Sequence, residues 1–161
     1  MAEDDLLNDA IELFQDAYRH QMQGDLNEAA ELYLRSIATY PTAEAYTFLG
    51  WTYSFMGDYD AAIAECRHAI EVDPDFGNPY NDIGAYLIEK GQIDEAIPWL
   101  EKATLAMRYD NPAFPYFNLG RVWESKHQIA RALASYHKAL EIDPQYTLAL
   151  AGLHRLRAML N

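Results

Sequence analysis

The side chains that most often carry chemistry are few in this sequence, and their spacing does not match a catalytic site. There are five histidines and a single cysteine, Cys66. The histidines are His20, His68, His127, His137 and His154. They show neither a His-Glu-x-x-His motif nor a paired spacing on one helical face, the arrangements that hold a metal ion. A nucleophilic Cys66 would need a neighbouring base, and His68 lies only two residues on, pointing to another side of a helix.

Glycines and carboxylates are equally uninformative as reactive groups. The glycines are isolated, and none belongs to a phosphate-binding run followed by Lys and Ser or Thr. The 25 acidic residues follow helical patterns as solvent-facing positions rather than as acid–base pairs. The sequence therefore predicts a protein that is not an enzyme, with no catalytic residues, no metal and no cofactor.

The amino-acid composition restricts the cellular location of the protein and the classes of partner it can bind. Half of the 161 residues are apolar, which favours a folded chain over a disordered one. The net charge of -13 repels nucleic acid phosphates and anionic membrane surfaces, so we expect neither as a partner. No apolar run approaches the roughly 20 residues of a membrane span, and the acidic start does not resemble a secretory signal. We therefore expect a cytoplasmic protein.

The charge is concentrated in one half of the chain. Residues 1–80 contain 16 acidic and three basic side chains, whereas residues 81–161 contain nine of each. This asymmetry has two interpretations. It keeps a small protein soluble, or it favours a partner of basic character toward the N-terminal half.

The chain is internally repetitive. Four similar segments begin at Gly24, Gly57, Gly91 and His127, with spacings of 33, 34 and 36 residues. Each follows another amphipathic stretch, the clearest being 45–56, 79–90 and 115–126. In the second repeat, Tyr46, Leu49, Gly50 and Tyr53 share one helical face because they are spaced i, i+3, i+4, i+7. The pattern predicts helix, short turn, helix, four times over.

These residues resemble the tetratricopeptide repeat family, whose pattern places an aromatic, Leu-Gly, a second aromatic, Ala, a third aromatic and Pro over 34 residues. The second repeat supplies Tyr46, Leu49, Gly50, Tyr53, Ala62, Cys66 and Pro74; the fourth supplies Tyr116, Leu119, Gly120, Trp123, Ala132, Tyr136 and Pro144. The third has Arg108 in place of the proline, and the first is the most degenerate. The resemblance implies an all-α, right-handed superhelical α-solenoid in a single domain, 1–161. Its repeats would span about 10–42, 43–76, 77–112 and 113–146, with a capping helix at 147–161.

Several local expectations follow from this arrangement. Gly50, Gly84 and Gly120 should let the paired helix approach closely, since a mid-helix glycine otherwise costs about 1 kcal/mol. Gly24, Gly57 and Gly91 should end first helices in a left-handed conformation, with His127 strained in the same place. Leu150 and Leu153 of the last helix should face inward. Asp4 or Asp5 should cap the first helix.

The third repeat has two irregularities. Pro98 should fall in the first turn of a helix that Asp94 caps, where a missing N–H costs little. Because Arg108 replaces the proline and the connection is two residues longer, we expect this helix to run on and tilt the fourth repeat. The extra residues are either a tolerated insertion or a change in groove curvature.

The concave wall formed by first helices is the predicted partner-binding surface. Its candidate residues are Phe14, Tyr18, Thr47, Trp51, Asn81, Asp82, Phe114, Phe117, Asn118 and Arg121. The aromatic rings either contribute buried area to a ligand or only pack between repeats. The amides of Asn81 and Asn118 are expected to pair with a ligand backbone. A basic group of the ligand would meet Glu44 or Asp82, and an acidic group would meet Arg121.

The family resemblance also excludes one ligand. A known subtype binds a chaperone's C-terminal carboxylate with lysine, asparagine and arginine side chains from three repeats, and neither register of this sequence supplies the cationic side chains. We therefore predict a scaffold that binds an unidentified protein or peptide, as a monomer or weak homo-oligomer. Two alternatives stay open: a self-associating assembly subunit, and an envelope or pilus assembly factor. The second is raised because Tyr109-Asp110-Asn111-Pro112 is similar to pilus-assembly members, which usually carry a lipoprotein signal.

Overall fold

The computed structural model describes residues 2–161, and in this range the chain forms nine α-helices and no β-strand. The helices are α1 Glu3–Met22, α2 Leu26–Thr39, α3 Ala43–Phe55, α4 Tyr59–Val72, α5 Asn78–Glu89, α6 Ile93–Thr104, α7 Ala113–Ser125, α8 Ile129–Ile142 and α9 Thr147–Leu160. Four helix–turn–helix pairs are followed by one further helix. The predicted all-α solenoid is confirmed.

The curvature of the stack identifies its inner side. Within residues 2–161, successive odd-numbered helices contact one another, whereas no two even-numbered helices do. Helices that approach each other lie on the shorter arc of a bent stack. The odd-numbered helices, which open each pair, therefore form the concave face, and the even-numbered helices form the outer face.

The tight turns and the close helix contacts are as expected. Gly24, Gly57 and Gly91 have φ values of +84°, +82° and +78°, and His127 occupies the same place at +57°. At this φ a residue other than glycine is uncommon because its Cβ crowds the backbone. Between paired helices, a Cβ on Gly120 would lie 2.4 Å from Cε1 of Tyr136, so only glycine fits under that ring.

The last helix packs as the first helices do. Gly152 of α9 faces the other side of the Tyr136 ring, where an added Cβ would lie 2.8 Å from Cε2. Leu153 and Leu156 are buried, but Leu150 is 40% exposed. The expectation that Leu150 faces inward is wrong, since the buried stripe of α9 continues through Ala149, Leu153 and Leu156 instead.

Two predicted helix starts are also wrong. Ala2, not Asp4 or Asp5, precedes the first residue of α1, and both aspartates lie within its first turn. Helix α6 begins at Ile93 after Gln92, so Asp94 lies inside it and Pro98 is its sixth residue. Pro98 therefore removes a regular helical hydrogen bond rather than an unused donor.

The connection between α6 and α7 differs most from expectation. Helix α6 stops at Thr104 rather than running on. Residues 105–112 turn back along the connection between α4 and α5, where Phe76 and Arg108 form an isolated parallel β-bridge. The Arg108 amide donates to Asp75 O at 3.0 Å, and the Gly77 amide donates to Arg108 O at 2.8 Å. The connection thus joins neighbouring repeats through the backbone of Arg108.

Candidate partner-binding groove

The N-terminal half of the concave face carries a continuous aromatic row, which comprises Phe14, Tyr18, Phe48, Trp51 and Phe55. Phe48 lies at its centre, with ring centroids 5.1 Å from Phe14, 5.9 Å from Tyr18 and 5.7 Å from Trp51. These separations are typical of favourable aromatic pairs. Because α1 and α3 supply the rings, the row both joins two repeats and lines the groove.

The aromatic row is only partly buried. Tyr18 and Phe55 are exposed, while Phe14, Phe48 and Trp51 are half-buried. The rings therefore pack between repeats and still present surface to a ligand, so the two interpretations of the sequence are compatible. Phe48, which sequence analysis left out of the site, contacts three other rings of the row and the buried ring of Tyr33. Its position at the centre of the row depends on the angle between α1 and α3.

The two aromatic residues predicted from the fourth repeat, Phe114 and Phe117, differ in how far they are available to a ligand. The ring of Phe117 lies 5.8 Å from the buried ring of Tyr136 and 5.0 Å from the half-buried ring of Tyr146. Phe114 contacts only Tyr146 among the rings and is 39% exposed. Phe114 is therefore the better candidate for ligand contact, and Phe117 chiefly holds α7 against α8.

The two asparagines pair with each other. Nδ2 of Asn118 donates to Oδ1 of Asn81 at 2.9 Å, and both side chains are buried. This corrects the expectation that their amides face a ligand. Nη1 of Arg121 donates to Oδ1 of Asn118 at 3.2 Å, and its Nη2 lies 3.0 Å from Oε1 of Glu89. The charge expected to meet an acidic ligand is thus already partnered within the chain.

Two pockets open on the concave face. The first, the N-terminal pocket, has a volume of about 380 Å³ and is lined by Leu7, Ala10, Ile11, Phe14, Gln15, Thr42 and Glu44. The second, the central pocket, has a volume of about 300 Å³ and is lined by Thr47, Phe48, Trp51, Asn78, Asp82 and Phe114. The contact between Phe14 and Phe48 separates them. Four of the ten predicted residues meet in the central pocket: Thr47, Trp51, Asp82 and Phe114.

Each pocket contains one carboxylate, but their environments differ. Oε1 of Glu44 accepts from Nη1 of Arg108 at 2.8 Å. Asp82 has no Lys or Arg within salt-bridge distance among the described residues, and only Nδ2 of Asn81 approaches its Oδ1, at 3.5 Å. Burial in the groove raises the pKa of Asp82 to about 7, and the Asn81 contact opposes this only partly. Desolvation disfavours the charged form of a carboxyl group that has no cation nearby.

The remaining polar groups of the central pocket are not reactive. The hydroxyl of Thr47 is buried and donates to Ala43 O at 2.7 Å. Oδ1 of Asn78 is buried and accepts no hydrogen bond from the described residues. Sequence analysis did not select Asn78, because an unsatisfied acceptor is visible only once its neighbours are known.

The residues first considered for chemistry lie elsewhere. Cys66 is fully buried between α3 and α4, and burial raises the pKa of its thiol. Over residues 2–161, no three His, Cys, Asp or Glu side chains come together as metal ligands. In the same range no helix has the length and apolarity that crossing a bilayer requires.

Among proteins of known sequence, the chain is 30% identical over 79 residues to a small glutamine-rich tetratricopeptide repeat-containing protein of Mycosarcoma maydis. That match covers 48% of this chain and 22% of the relative. The chain spans between 22% and 27% of the lengths of the curated relatives it matches.

Solved structures share the fold over nearly the whole chain. PilW, a type IV pilus biogenesis factor, is 21% identical with a TM-score of 0.84, covering 93% of this chain and 69% of its own. A chain of the Cut9–Hcn1 assembly is 19% identical with a TM-score of 0.84, and the match covers 94% of this chain and 30% of that one. YrrB, described as having an unusual peptide-binding site, is 20% identical with a TM-score of 0.69. That match covers 88% of this chain and 73% of YrrB.

Family models described as tetratricopeptide repeat match residues 43–76, 65–97 and 113–146. These matches cover the helix pairs α3–α4 and α7–α8 and the region that joins α4 to α6. With the repeated glycine contacts and the solenoid architecture, they establish that this chain belongs to the tetratricopeptide repeat family.

Proposed function

We propose that this protein is a non-enzymatic interaction scaffold that holds a peptide or helix of a partner protein in its concave groove. The observation that carries the proposal is the pair of adjacent pockets on one face, separated only by the Phe14–Phe48 contact. A ligand crossing that contact would place one side chain in each pocket. Apolar area with a few polar groups is the composition that such sites require.

The comparisons support the proposal by analogy of fold. YrrB is described as having an unusual peptide-binding site, and Cut9–Hcn1 is a hetero-tetramer. The sequence identities of about 20% carry no partner across to this chain. For a preformed groove of this size we expect micromolar affinity, about -8 kcal/mol at 1 μM.

Binding accounts for the groove better than catalysis does. A carboxyl group with a pKa near 7 in a cleft is a common mark of an active site. Among the residues that the structure describes, Asp82 is the only ionisable side chain that lines the central pocket, and its neighbours are three aromatic rings, an amide and an internally bonded hydroxyl. A catalytic constellation combines such a group with a nucleophile or with donors that stabilise developing charge, and the lining of the central pocket does not provide them. We therefore propose that Asp82 recognises a ligand.

The test is quantitative capture of partner proteins by the tagged chain and by the Trp51→Ala, Phe114→Ala double variant. We expect the double variant to lose the enriched partners, because both rings line the central pocket. Trp99→Ala is the matched control, since Trp99 lies on α6 at the outer face. Unchanged capture by the double variant, with helicity intact by circular dichroism, would refute the groove assignment.

The two alternatives give different results in simple experiments. A self-associating subunit that buries the groove would sediment as a dimer whose stability falls in the same double variant. The pilus alternative is raised by the run Tyr109-Asp110-Asn111-Pro112. Cut9–Hcn1 overlays as well as PilW does, with a TM-score of 0.84 for each, so likeness of fold adds no support for it. The cytoplasmic location stays a prediction, which fluorescence microscopy of the tagged chain would test.

A further inference from the structure

The central pocket is small, and its wall combines aromatic rings with a few polar side chains. Its volume of about 300 Å³ lies at the lower end of the range for ligand sites, so it fits one side chain rather than a folded segment. Three of its six lining residues are the aromatic Phe48, Trp51 and Phe114. The planes of Phe48 and Trp51 are 83° apart, so the two rings form a corner of the wall.

The polar groups of this wall are acceptors in need of a donor. The Asp82 carboxyl has no cation nearby, and burial raises its pKa because the charged form is poorly solvated. Oδ1 of Asn78 accepts no hydrogen bond from the described residues. Buried acceptors without donors are costly, and a ligand that supplies N–H groups removes that cost.

A cation is the ligand group that satisfies all parts of the wall. Aromatic faces attract cations electrostatically, and a carboxylate accepts strong charge-assisted hydrogen bonds from guanidinium or ammonium groups. The excess of acidic residues in the N-terminal half adds a favourable long-range field. An acidic side chain would repel the Asp82 carboxylate, and a neutral one would leave its charge without a counter-ion.

On the basis of the proposed function, we infer that the central pocket receives an arginine or lysine side chain of the partner protein, with Asp82 as its counter-ion and Phe48, Trp51 and Phe114 as its aromatic wall. The N-terminal pocket differs, because Arg108 of this chain already neutralises Glu44. The cationic position of the ligand is therefore set by Asp82 on α5 rather than by Glu44 on α3. The apolar part of the same ligand lies over Phe14 and Ile11.

The experiment uses the full chain and two capped tripeptides, acetyl-Ala-Arg-Ala-amide and its citrulline counterpart, in which a neutral urea replaces guanidinium. Binding is followed by the three indole N–H resonances in proton–nitrogen spectra at physiological salt. Trp51 lines the pocket, whereas Trp99 already has Arg67 and Lys102 over its ring, and Trp123 has Arg131. The second and third indoles therefore report non-specific attraction to the acidic surface.

We expect the arginine peptide to shift the Trp51 resonance and to bind about tenfold more tightly than the citrulline peptide. Asp82→Asn should abolish this preference while the protein stays folded. Glu71→Gln, which removes one negative charge from the exposed surface of α4, should preserve it. Equal binding of the two peptides, or a preference that survives Asp82→Asn, would overturn the inference.

These outcomes are separable from failure of the proposed function. If the Trp51, Phe114 double variant loses its partners while the wild-type chain does not prefer arginine, the groove binds protein but the pocket does not select a cation. If arginine is preferred while partner capture is unaffected by the double variant, the pocket assignment holds and the groove hypothesis fails.

Discussion

Each of the two pockets of the concave face contains one carboxyl group, and the two groups differ in their hydrogen-bonding partners. In the N-terminal pocket, Glu44 is paired with Arg108, a residue 64 positions away in sequence. In the central pocket, Asp82 has only a long contact from its neighbour Asn81. Two sites on one face, built from equivalent helices, therefore offer different chemistry. The difference arises from a connecting segment rather than from the repeats themselves.

That segment is the irregular connection between α6 and α7. Arg108 stands where the second and fourth repeats have proline, and its guanidinium bridges Glu44 and Asp73 while lying 4.2 Å from the Phe76 ring centroid. Arginine suits such a position because its planar fork stacks and makes several hydrogen bonds at once. The residue at this one position, Arg108, thus determines which pocket keeps a carboxyl group without a cationic partner.

The largest expected effect comes from dislodging this segment with Gly77→Ala. Gly77 has an ordinary φ of -76°, so alanine is allowed by the backbone. Its Cβ, however, would lie 2.0 Å from Cδ2 of Tyr109 and 2.9 Å from the Cβ of Ala106. We expect a loss of about 2–3 kcal/mol in the free energy of unfolding, measured in urea, as for other overpacked sites.

The matched control for this change is Tyr109→Ala, alone and combined with Gly77→Ala. With the ring removed, the added methyl group has room, and the double variant should be less destabilised than the sum of the two single changes. Strict additivity would mean that the segment does not rest on Gly77.

A smaller effect, of opposite sign, is expected for Asp82→Asn. The pKa of Asp82 is raised from 3.8 to about 7, so the folded state holds a proton that the unfolded state releases. Wild-type stability should therefore fall as the pH rises from about 4 to 7, and the variant should lack this fall. At pH 8 we expect the variant to be more stable by on the order of 2 kcal/mol, after discounting for the partial exposure of the carboxyl group.

Urea unfolding at pH 4, 6 and 8 checks this prediction. The other ionisable groups whose pKa responds to Asp82 are Cys66, Tyr86 and Tyr109, and burial raises the pKa of each, so they stay neutral over this range. Glu71→Gln should show no comparable gain between pH 4 and 8. A gap between Asp82→Asn and wild type that does not grow with pH would contradict the assignment.

The smallest effect is expected for Glu44→Gln, which should destabilise the protein by about 0.5 kcal/mol because it removes one partly exposed ion pair. Arg108→Met removes the pairs with both Glu44 and Asp73, along with the stacking on Phe76, and should cost about 1 kcal/mol. Because Arg108 holds the pKa of Asp73 below its usual range, that part of the loss should disappear as the pH falls through the folded pKa. A stabilising Glu44→Gln would show that the two pockets do not differ.

The features that sequence predicted well are those repeated within one helix pair. The left-handed φ of Gly24, Gly57 and Gly91 and the close packing at Gly50, Gly84 and Gly120 each recur at a fixed place in the pattern. Repetition gives several independent indications of the same local requirement. The all-α solenoid follows from them, because pairs that cannot bury their apolar faces alone must stack.

The features that sequence missed depend on distances between different repeats. Asn81 and Asn118 are 37 residues apart, and their hydrogen bond forms only because α5 and α7 approach on the inner arc. Periodicity places both residues on that face but gives no separation between the helices. In the same way, nothing in the order of residues 105–112 shows that the chain turns back toward Phe76.

The ring of Tyr136 lies between two glycines, Gly120 of α7 and Gly152 of α9. Its hydroxyl donates to Oε2 of Glu124 at 2.7 Å, and the same carboxylate accepts two hydrogen bonds from Arg155 at 2.8 Å. The side chain of Tyr136 on α8 therefore contacts both α7 and α9 and holds the three helices in one packed unit. Opening either side exposes the ring to water, so α7, α8 and α9 should exchange their protected amide hydrogens as one cooperative unit.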